Sequence, residues 1–522
     1  MKRTLWLAGL LLALAACGTN PVTGKRELQI VSQSQEIQVG AENFAPSRQM
    51  QGGDLTIDPE LTAYVSEVGQ RVASAAGALL PETRQLPYEF KVLNNSVPNA
   101  WALPGGKIAV NRGLLTQLHD EAELAAVLGH EITHAAARHG AKSMERGMLL
   151  QAAMVGLQVG VRDNQYANLI VGGAMLGANL ITQKYGRDAE NESDLYGMRY
   201  MKAAGYDPAA AIDLQKTFVK LSAGRQTSWL DGLFASHPPS EERVAHNTET
   251  AAQLGAGGER GAERYTQKLA LQARLAPAYA KYDAGVEALA KGDLAGAEQN
   301  AKAALGLESR EGKFHELLGD VELKRKNYAA AKSRYERALA LNPEYFKPLL
   351  ASGIASFELG QRQQAQDLFT RSMQLLPTAT GSFYLGKLAK QAGNVDEAVK
   401  YFSQAAGSQS DVGAESAREA ALLDLPRNPS RYVRIEPRLD NSGVVWLLVE
   451  NRAPVAVRNV EMLAGVAAAD GRIAQGPVRV STGNAVLKPG QVAQLKTSLG
   501  PLASADLLRA VRFEVQGAAI AE

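Results

Sequence analysis

The chain has 522 residues, enough for three or so domains. Its 56 basic and 54 acidic residues nearly cancel, leaving no concentrated basic stripe of the kind that nucleic-acid binding needs. Its one cysteine, Cys17, excludes an intramolecular disulfide.

The predicted elements begin with a leader. Met1-Lys2-Arg3 is basic, and Leu5 through Ala16 is an apolar core too short to span a bilayer comfortably. It ends in Leu14-Ala15-Ala16-Cys17-Gly18, which resembles a bacterial lipoprotein cleavage site. That resemblance implies loss of the signal peptide 1–16 and lipidation of Cys17. Gly18 is not the aspartate associated with inner-membrane retention, which implies a periplasmic protein anchored to the outer membrane. The anchor would add membrane affinity at about 0.8 kcal/mol per buried CH₂.

A strand is predicted at Lys107–Val110, after a turn at Pro104-Gly105-Gly106. The edge around Trp101–Val110 is expected to take an extended peptide as an added strand. A helix follows, with Leu124, Val127 and Leu128 at helical spacing among alanines. It carries His130-Glu131-Ile132-Thr133-His134, an HExxH motif. Residues i and i+4 share a helix face, so two imidazoles can hold one metal ion with Glu131 beside it. A bound Zn²⁺ lowers the pKa of water to about 7. The chemistry implied is hydrolysis, most often of a peptide bond.

Two apolar stretches, Met148–Val161 and Ala167–Ile181, are each shorter than the roughly 20 residues of a membrane span. They are predicted as a buried hairpin near the site, with a dip into a membrane as the alternative. A catalytic zinc usually has three protein ligands. The third is expected from the acidic, helical segment Arg187–Gly197, about 55 residues past the motif. Glu190 is the first choice and Glu192 the second. Asp194, at i+4 from Glu190, is placed to accept the free ring N–H of a ligating histidine.

HExxH followed by ExxxD resembles the gluzincin arrangement, in the variant of the peptidase family that includes the Ste24 and HtpX proteases. Asn99–Val110, His134-Ala135-Ala136-Ala137-Arg138-His139 and His237-Pro238-Pro239-Ser240-Glu241-Glu242-Arg243 extend the resemblance. Ser193 departs from it, standing where the family usually has alanine. The resemblance implies one Zn²⁺ per chain on His130, His134 and Glu190, with Glu131 as general base. It leaves His237 two roles, a latch in the metal's fourth position or an oxyanion stabiliser. His139 lies five residues after His134, off the ligand face, and is expected to be structural. His119, His246 and His315 are expected at the surface or in packing.

Gly255-Ala256-Gly257-Gly258 and Gly261 are read as a flexible join, and Pro426-Arg427-Asn428-Pro429 as a second join. Between them Gly285, Gly319, Gly353 and Gly386 recur at spacings of 34, 34 and 33. Ala297, Ala331, Ala365 and Ala398 follow each glycine by twelve, and Ala301, Tyr335, Phe369 and Phe402 follow those by four. This is the tetratricopeptide period. Such an array presents a concave surface for peptides or partner proteins. Beyond Pro429, the apolar run Val444–Val449 and turns at Asn441-Ser442-Gly443 and Pro489-Gly490 suggest a β-sandwich.

The expected architecture is multidomain and mainly α: a zincin-like α+β metalloprotease domain (17–264), an α-solenoid of repeats (277–410) and a C-terminal β-sandwich-like module (430–522). The expected function is a lipid-anchored periplasmic zinc endopeptidase. Its repeats would recruit unfolded or misassembled envelope proteins and engage outer-membrane assembly machinery. The alternative is a non-catalytic, chaperone-like assembly factor in which the array does the work.

Overall fold

A computed structural model describes residues 17–81, 84–157, 184–223, 237–468 and 472–521. The leader 1–16 and most of the hairpin predicted within 148–181 lie outside the described residues. The chain forms two compact units, Met1–Leu359 and Gly360–Glu522, divided inside the repeats. No helix among the described residues is long and apolar enough to cross a membrane.

The first unit opens with a hairpin, β1 (Cys17–Thr19) and β2 (Arg26–Leu28), then α1 (Gln33–Met50) and α2 (Pro59–Leu79). A three-stranded sheet comprises β3 (Glu89–Leu93), β4 (Ala100–Leu103) and β5 (Lys107–Asn111) in the order β3-β5-β4. β5 pairs with β3 in parallel and with β4 antiparallel. Lys107–Val110 is therefore the central strand, bonded on both sides. This corrects the expectation of a free edge at Lys107–Val110; the outer strands are β3 and β4, and of the Trp101–Val110 stretch only the part in β4 is on the outside.

Helices α3 (Arg112–Leu115), α4 (Glu121–Ala136), α5 (His139–Leu157), α6 (Arg187–Ala203), α7 (Ala209–Ala223), α8 (Glu241–Leu254) and α9 (Ala262–Lys268) follow. The Asp120 carboxylate caps α4 by accepting from the Glu123 N–H. Glu121, in the first turn, accepts from the hydroxyls of Tyr64 (2.7 Å) and Tyr206 (2.6 Å) and pairs with Arg264. Every α4 residue except His130 is buried. Its leucines join Val65, Val68 and Val72 of α2, Ile108 and Val110 of β5, and Met198 and Met201 of α6 in one core.

Two glycines set how closely α4 and α6 approach. A Cβ on Gly129 would lie 2.8 Å from the Gly197 carbonyl oxygen, and one on Gly197 would lie 2.8 Å from the His130 nitrogen. With neither present the backbones touch, and Glu190 and Asp194 are carried to the histidines.

The segment read as a flexible join is pinned. Lys202 Nζ donates to the carbonyls of Gly255 (3.1 Å) and Gly257 (2.9 Å), and the Glu259 N–H donates to the Gly205 carbonyl. A Cβ on Gly258, at φ +133°, would come within 2.5 Å of the Asp207 nitrogen. These glycines serve positive φ and close approach, not slack.

The unit continues through α10 (Ala270–Ala290), α11 (Leu294–Leu307), α12 (Gly312–Lys324), α13 (Tyr328–Leu341) and α14 (Phe346–Glu358). The periodic small residues sit at the crossings: Ala297, Ala301, Ala331 and Tyr335 are fully buried, and Gly319 lies against the Tyr335 ring. These helices bond to the preceding layers. Gln49 donates to the Glu344 carbonyl (2.7 Å) and accepts from the Phe346 N–H (2.8 Å). Glu311 accepts from Asn94 (3.0 Å) and Tyr279 (2.6 Å).

The second unit begins with α15 (Arg362–Leu375), α16 (Ala379–Gln391), α17 (Val395–Ala406) and α18 (Asp411–Asp424). Ala398 and Phe402 are fully buried, and the Phe402 ring fills the space left by Gly386. The Asp424 carboxylate accepts from Asn428 (2.7 Å), Arg431 (3.0 Å) and Tyr432 (3.1 Å), so the proline-flanked stretch is also held. The strands are β6 (Val433–Leu439), β7 (Val445–Asn451), β8 (Val457–Ala467), β9 (Ile473–Ser481), β10 (Val492–Lys496) and β11 (Val511–Ile520). They make two antiparallel sheets, β10-β7-β6 and β11-β8-β9, which share one apolar core. In β7, Val445, Leu447 and Val449 face inward and alternate with half-buried residues.

Candidate metal centre

α4 presents His130 and His134 one turn apart, with their Nε2 atoms 3.0 Å from each other. α6 brings Glu190, whose oxygens lie 3.6 Å from His130 Nε2 and 3.5 Å from His134 Nε2. His237, just before α8, places Nδ1 3.0 Å from Glu190 Oε1 and 3.3 Å from His130 Nε2. One donor atom from each of the four lies within 4.8 Å of the others. Glu131 stands beside them, its Oε1 3.7 Å from His237 Nε2.

The outer partners establish which ring nitrogens face inward. His130 Nδ1 lies 2.9 Å from Asp194 Oδ1, so it carries the proton and donates. His130 Nε2 then keeps its lone pair. Asp194 is held in turn by Arg243, at 2.8 Å and 2.7 Å. His134 Nδ1 lies 2.9 Å from His139 Nδ1, and His139 Nε2 lies 3.4 Å from Glu192 Oε2. Glu192 accepts, so His139 donates through Nε2 and accepts at Nδ1. His134 then donates through Nδ1 and turns its Nε2 lone pair inward. Lys25, in the loop between β1 and β2, closes the chain by donating to Glu192 at 2.9 Å.

Two inward lone pairs 3.0 Å apart beside a carboxylate repel one another unless a cation lies among them. Imidazole nitrogens and a carboxylate are donors that suit zinc. The electrostatics agree. Burial pushes His134 well below the usual imidazole value, so the ring is neutral. Burial works to raise Glu190, but His237, His134 and His130 hold it well below the carboxylate range. Burial likewise opposes ionisation of Asp194, and Arg243 and His130 outweigh it. Burial raises Glu131, with His237 and His130 only partly opposing, so its carboxyl is a better proton acceptor than a surface one.

Comparison with known proteins bears on this geometry. Peptidase family M48 matches residues 59–251, and tetratricopeptide repeats match residues 282–347 and 350–412. The chain is 34% identical over 189 residues to the metalloprotease YcaL of Escherichia coli, covering 36% of this chain and 71% of that one. The chain belongs to peptidase family M48. It is a metalloprotease with a repeat array. The metalloprotease LoiP of Escherichia coli is 32% identical over 187 residues, 35% of this chain and 69% of that one. The beta-barrel assembly-enhancing protease of the same organism is 28% identical over 244 residues. That match covers 45% of this chain, which spans about half (48%) of that relative's length.

The structure brings together His130, Glu131, His134, Glu190, Asp194 and His237, all named from sequence. It separates Glu192 from the donor group and joins it to His139. It leaves His139 outside the donor group, consistent with a structural role, but the reading of that residue as facing away from His134 does not hold. That reading assumed a continuous helix, in which a residue five past His134 faces elsewhere. Arg138 instead adopts φ 64°, α4 ends, and α5 starts at His139 with its ring turned back toward His134. The Arg138 guanidinium is buried against Glu36 (2.6 Å) and Glu145 (3.1 Å), which holds the break in place. Sequence reasoning also missed the Tyr185 ring, tilted against that of His134 with centroids 4.1 Å apart, and the grip of Arg243 on Asp194. The arginine of HPPSxxR was a signal for the second. His119 pairs with Glu123, and His315 bonds the Ser309 carbonyl, both outside the donor group.

Proposed function

We propose that the chain is a zinc-dependent endopeptidase of zincin-like fold, with a β-sandwich-like C-terminal module. We also propose that Cys17 anchors it by lipid to the periplasmic face of the outer membrane, where it acts on unfolded or misassembled envelope proteins. The observation that carries the enzymatic reading is the convergence of three imidazoles and a carboxylate beside a buried Glu131. When bound, a zinc ion polarises the scissile carbonyl and makes water acidic enough to deprotonate near pH 7. His130, His134 and Glu190 hold the ion, with Asp194 and the pair His139 and Glu192 orienting the two rings. Glu131 takes the proton of the attacking water and passes it to the leaving amine.

His237 is proposed as a latch. Its Nδ1 lies inside the donor group and its Nε2 faces Glu131, so in this conformation the ring fills space that water and substrate require. The repeats, bonded to the protease layers through Glu311 and Gln49, are proposed to recruit substrate and to engage outer-membrane assembly machinery. The name of the beta-barrel assembly-enhancing protease, of which this chain spans about half, supports that setting.

The test is Glu131→Gln. It should retain zinc and lose casein digestion, because the amide cannot accept the proton. His130→Ala, His134→Ala and Glu190→Ala should lose the metal itself. Wild-type digestion by Glu131→Gln would remove Glu131 from its role.

A further inference from the structure

The hairpin that begins at Cys17 is tied to the metal-binding helix without slack. Three residues on, the buried Asn20 side chain donates to the Ala137 carbonyl at the end of α4 (3.0 Å) and to Glu27 (3.1 Å). Glu27 pairs with Lys142 of α5 at 2.8 Å. Past the hairpin, the Ile30 and Val31 N–H groups both donate to Glu145 of α5 at 2.9 Å, and Arg138 donates to the Val31 carbonyl at 2.6 Å. The stretch from Cys17 to Val31 therefore lies along the first turns of α5. Three residues of chain reach at most about 11 Å, and Ala137 is less than a turn past His134, so the metal donors lie within about 30 Å of the Cys17 backbone.

The solvent side of this strip is amphipathic. Ile30 is 44% exposed, and Met148 and Leu149 are each 47% exposed. Glu145, Met148 and Leu149 fall at i, i+3 and i+4, one side of α5, and Glu145 holds the Ile30 backbone against that side. The three apolar residues thus form one patch, where singly scattered ones would need no explanation. Arg26 and Arg146, on the same strip, are exposed. Apolar side chains flanked by arginines match the boundary of a bilayer, where the first enter the acyl edge and the second meet anionic headgroups. The place of the strip selects that occupant, because a lipid on Cys17 would hold this face against the membrane.

We propose that the hairpin and the adjoining flank of α5 dock on an anionic membrane surface, in one orientation that keeps the metal centre within about 30 Å of the bilayer. The proposal rests on the anchored reading given above. A flexible tether would let the protease tumble at a distance from the membrane. Here the fold starts at the anchored residue, so the lipid fixes a face as well as a location.

The experiment uses the whole chain from residue 17 onward with Cys17→Ser, which carries no lipid. It is sedimented with vesicles of mixed phosphatidylethanolamine and phosphatidylglycerol, or of phosphatidylcholine alone. The anionic vesicles should bind it about tenfold or more tightly than the neutral ones, with the difference fading in high salt. Arg146→Glu should weaken anionic binding by about tenfold or more, since each cation near such a surface contributes about fivefold. Ile30→Ser, Met148→Ser and Leu149→Ser together should weaken binding to both vesicle types by about tenfold or more. Leu307→Ser, at a leucine of the repeats that is 59% exposed, should leave binding unchanged. Circular dichroism and zinc binding verify folding, and Arg146→Glu decides if the triple variant does not fold. No binding to anionic vesicles overturns the proposal. So does equal binding by folded Arg146→Glu, or a loss in Leu307→Ser as large as in the triple variant. Mass spectrometry of Cys17 from cells tests the anchor separately. An unmodified thiol would defeat the anchored reading, and the vesicle arms would still decide the docking face.

Discussion

Replacing His139 by alanine takes away the acceptor that orients His134. In the folded chain the two Nδ1 atoms are 2.9 Å apart, and the side chains are 2% and 1% exposed, so water cannot substitute readily. Two losses follow. The His134 N–H is left buried without a partner, and the ring is free to move its proton to Nε2, the tautomer with no lone pair for a metal. Loss of such a supporting bond typically lowers metal affinity about 10- to 100-fold, roughly 1.4 to 2.7 kcal/mol. The buried geometry places His139→Ala toward the upper end. Glu192→Ala acts one bond further out, across 3.4 Å and at a side chain 19% exposed, so about tenfold is expected. Because Glu192 works only through His139, the double variant should lose no more affinity than His139→Ala alone. The assay is equilibrium competition for zinc against a chromophoric chelator, with circular dichroism to verify folding. Unchanged affinity in folded His139→Ala would refute the relay, and additive losses would refute its order. Abolition of binding by Glu192→Ala alone would make Glu192 a ligand after all.

Three further outcomes follow from the same geometry. His237→Ala should raise basal casein digestion with zinc retained if the ring is a latch. A fall in kcat of about 10²-fold or more would instead mark it as an oxyanion donor, since removing one such donor costs on that order. Gly197→Ala should push α6 away from α4, lowering stability by about 1–3 kcal/mol in thermal melts and weakening zinc binding; an unchanged melt would mean the helices can separate freely. Glu121→Gln should cost about 2–4 kcal/mol at pH 7, since it removes the charge that Arg264, Tyr206 and Tyr64 surround. Burial alone would raise this carboxyl, but those partners hold it below its ordinary 4.5. Its stabilisation is therefore present above about pH 4.5 and fades as pH falls through the lowered folded value. The gap between variant and wild-type in urea titrations should narrow below that pH, and a constant gap would contradict the assignment.

Much of the candidate site was legible before any coordinates because its geometry is local. The i, i+4 spacing of His130 and His134, and of Glu190 and Asp194, is a property of any α-helix. The 33- to 34-residue period of Gly285, Gly319, Gly353 and Gly386 follows from a repeating helix pair in the same way. What could not be read depended on departures from regular structure or on distant pairing. The left-handed turn at Arg138 redirects His139, and the buried acids that hold it, Glu36 and Glu145, lie about 100 residues upstream and seven residues downstream. β5 is central only because β3 and β4 flank it, which its own residues do not reveal. Gly255–Gly258 has the composition of a linker, yet it is held by Lys202 of another segment, and the adjoining Glu259 by Gly205.

The sequence by itself determined the chemistry available to this protein: two histidines and a glutamate on one helix, an acidic pair on a second, and an array of helical hairpins. Those assignments need only the repeat of the α-helix and the identity of the side chains. Tertiary structure alone decided which lone pairs turn inward, that His237 enters the donor group, and that Glu192 reaches His134 through His139. Each of these depends on segments far apart in the chain meeting within about 3–4 Å, a hydrogen-bond and contact distance that sequence spacing does not encode.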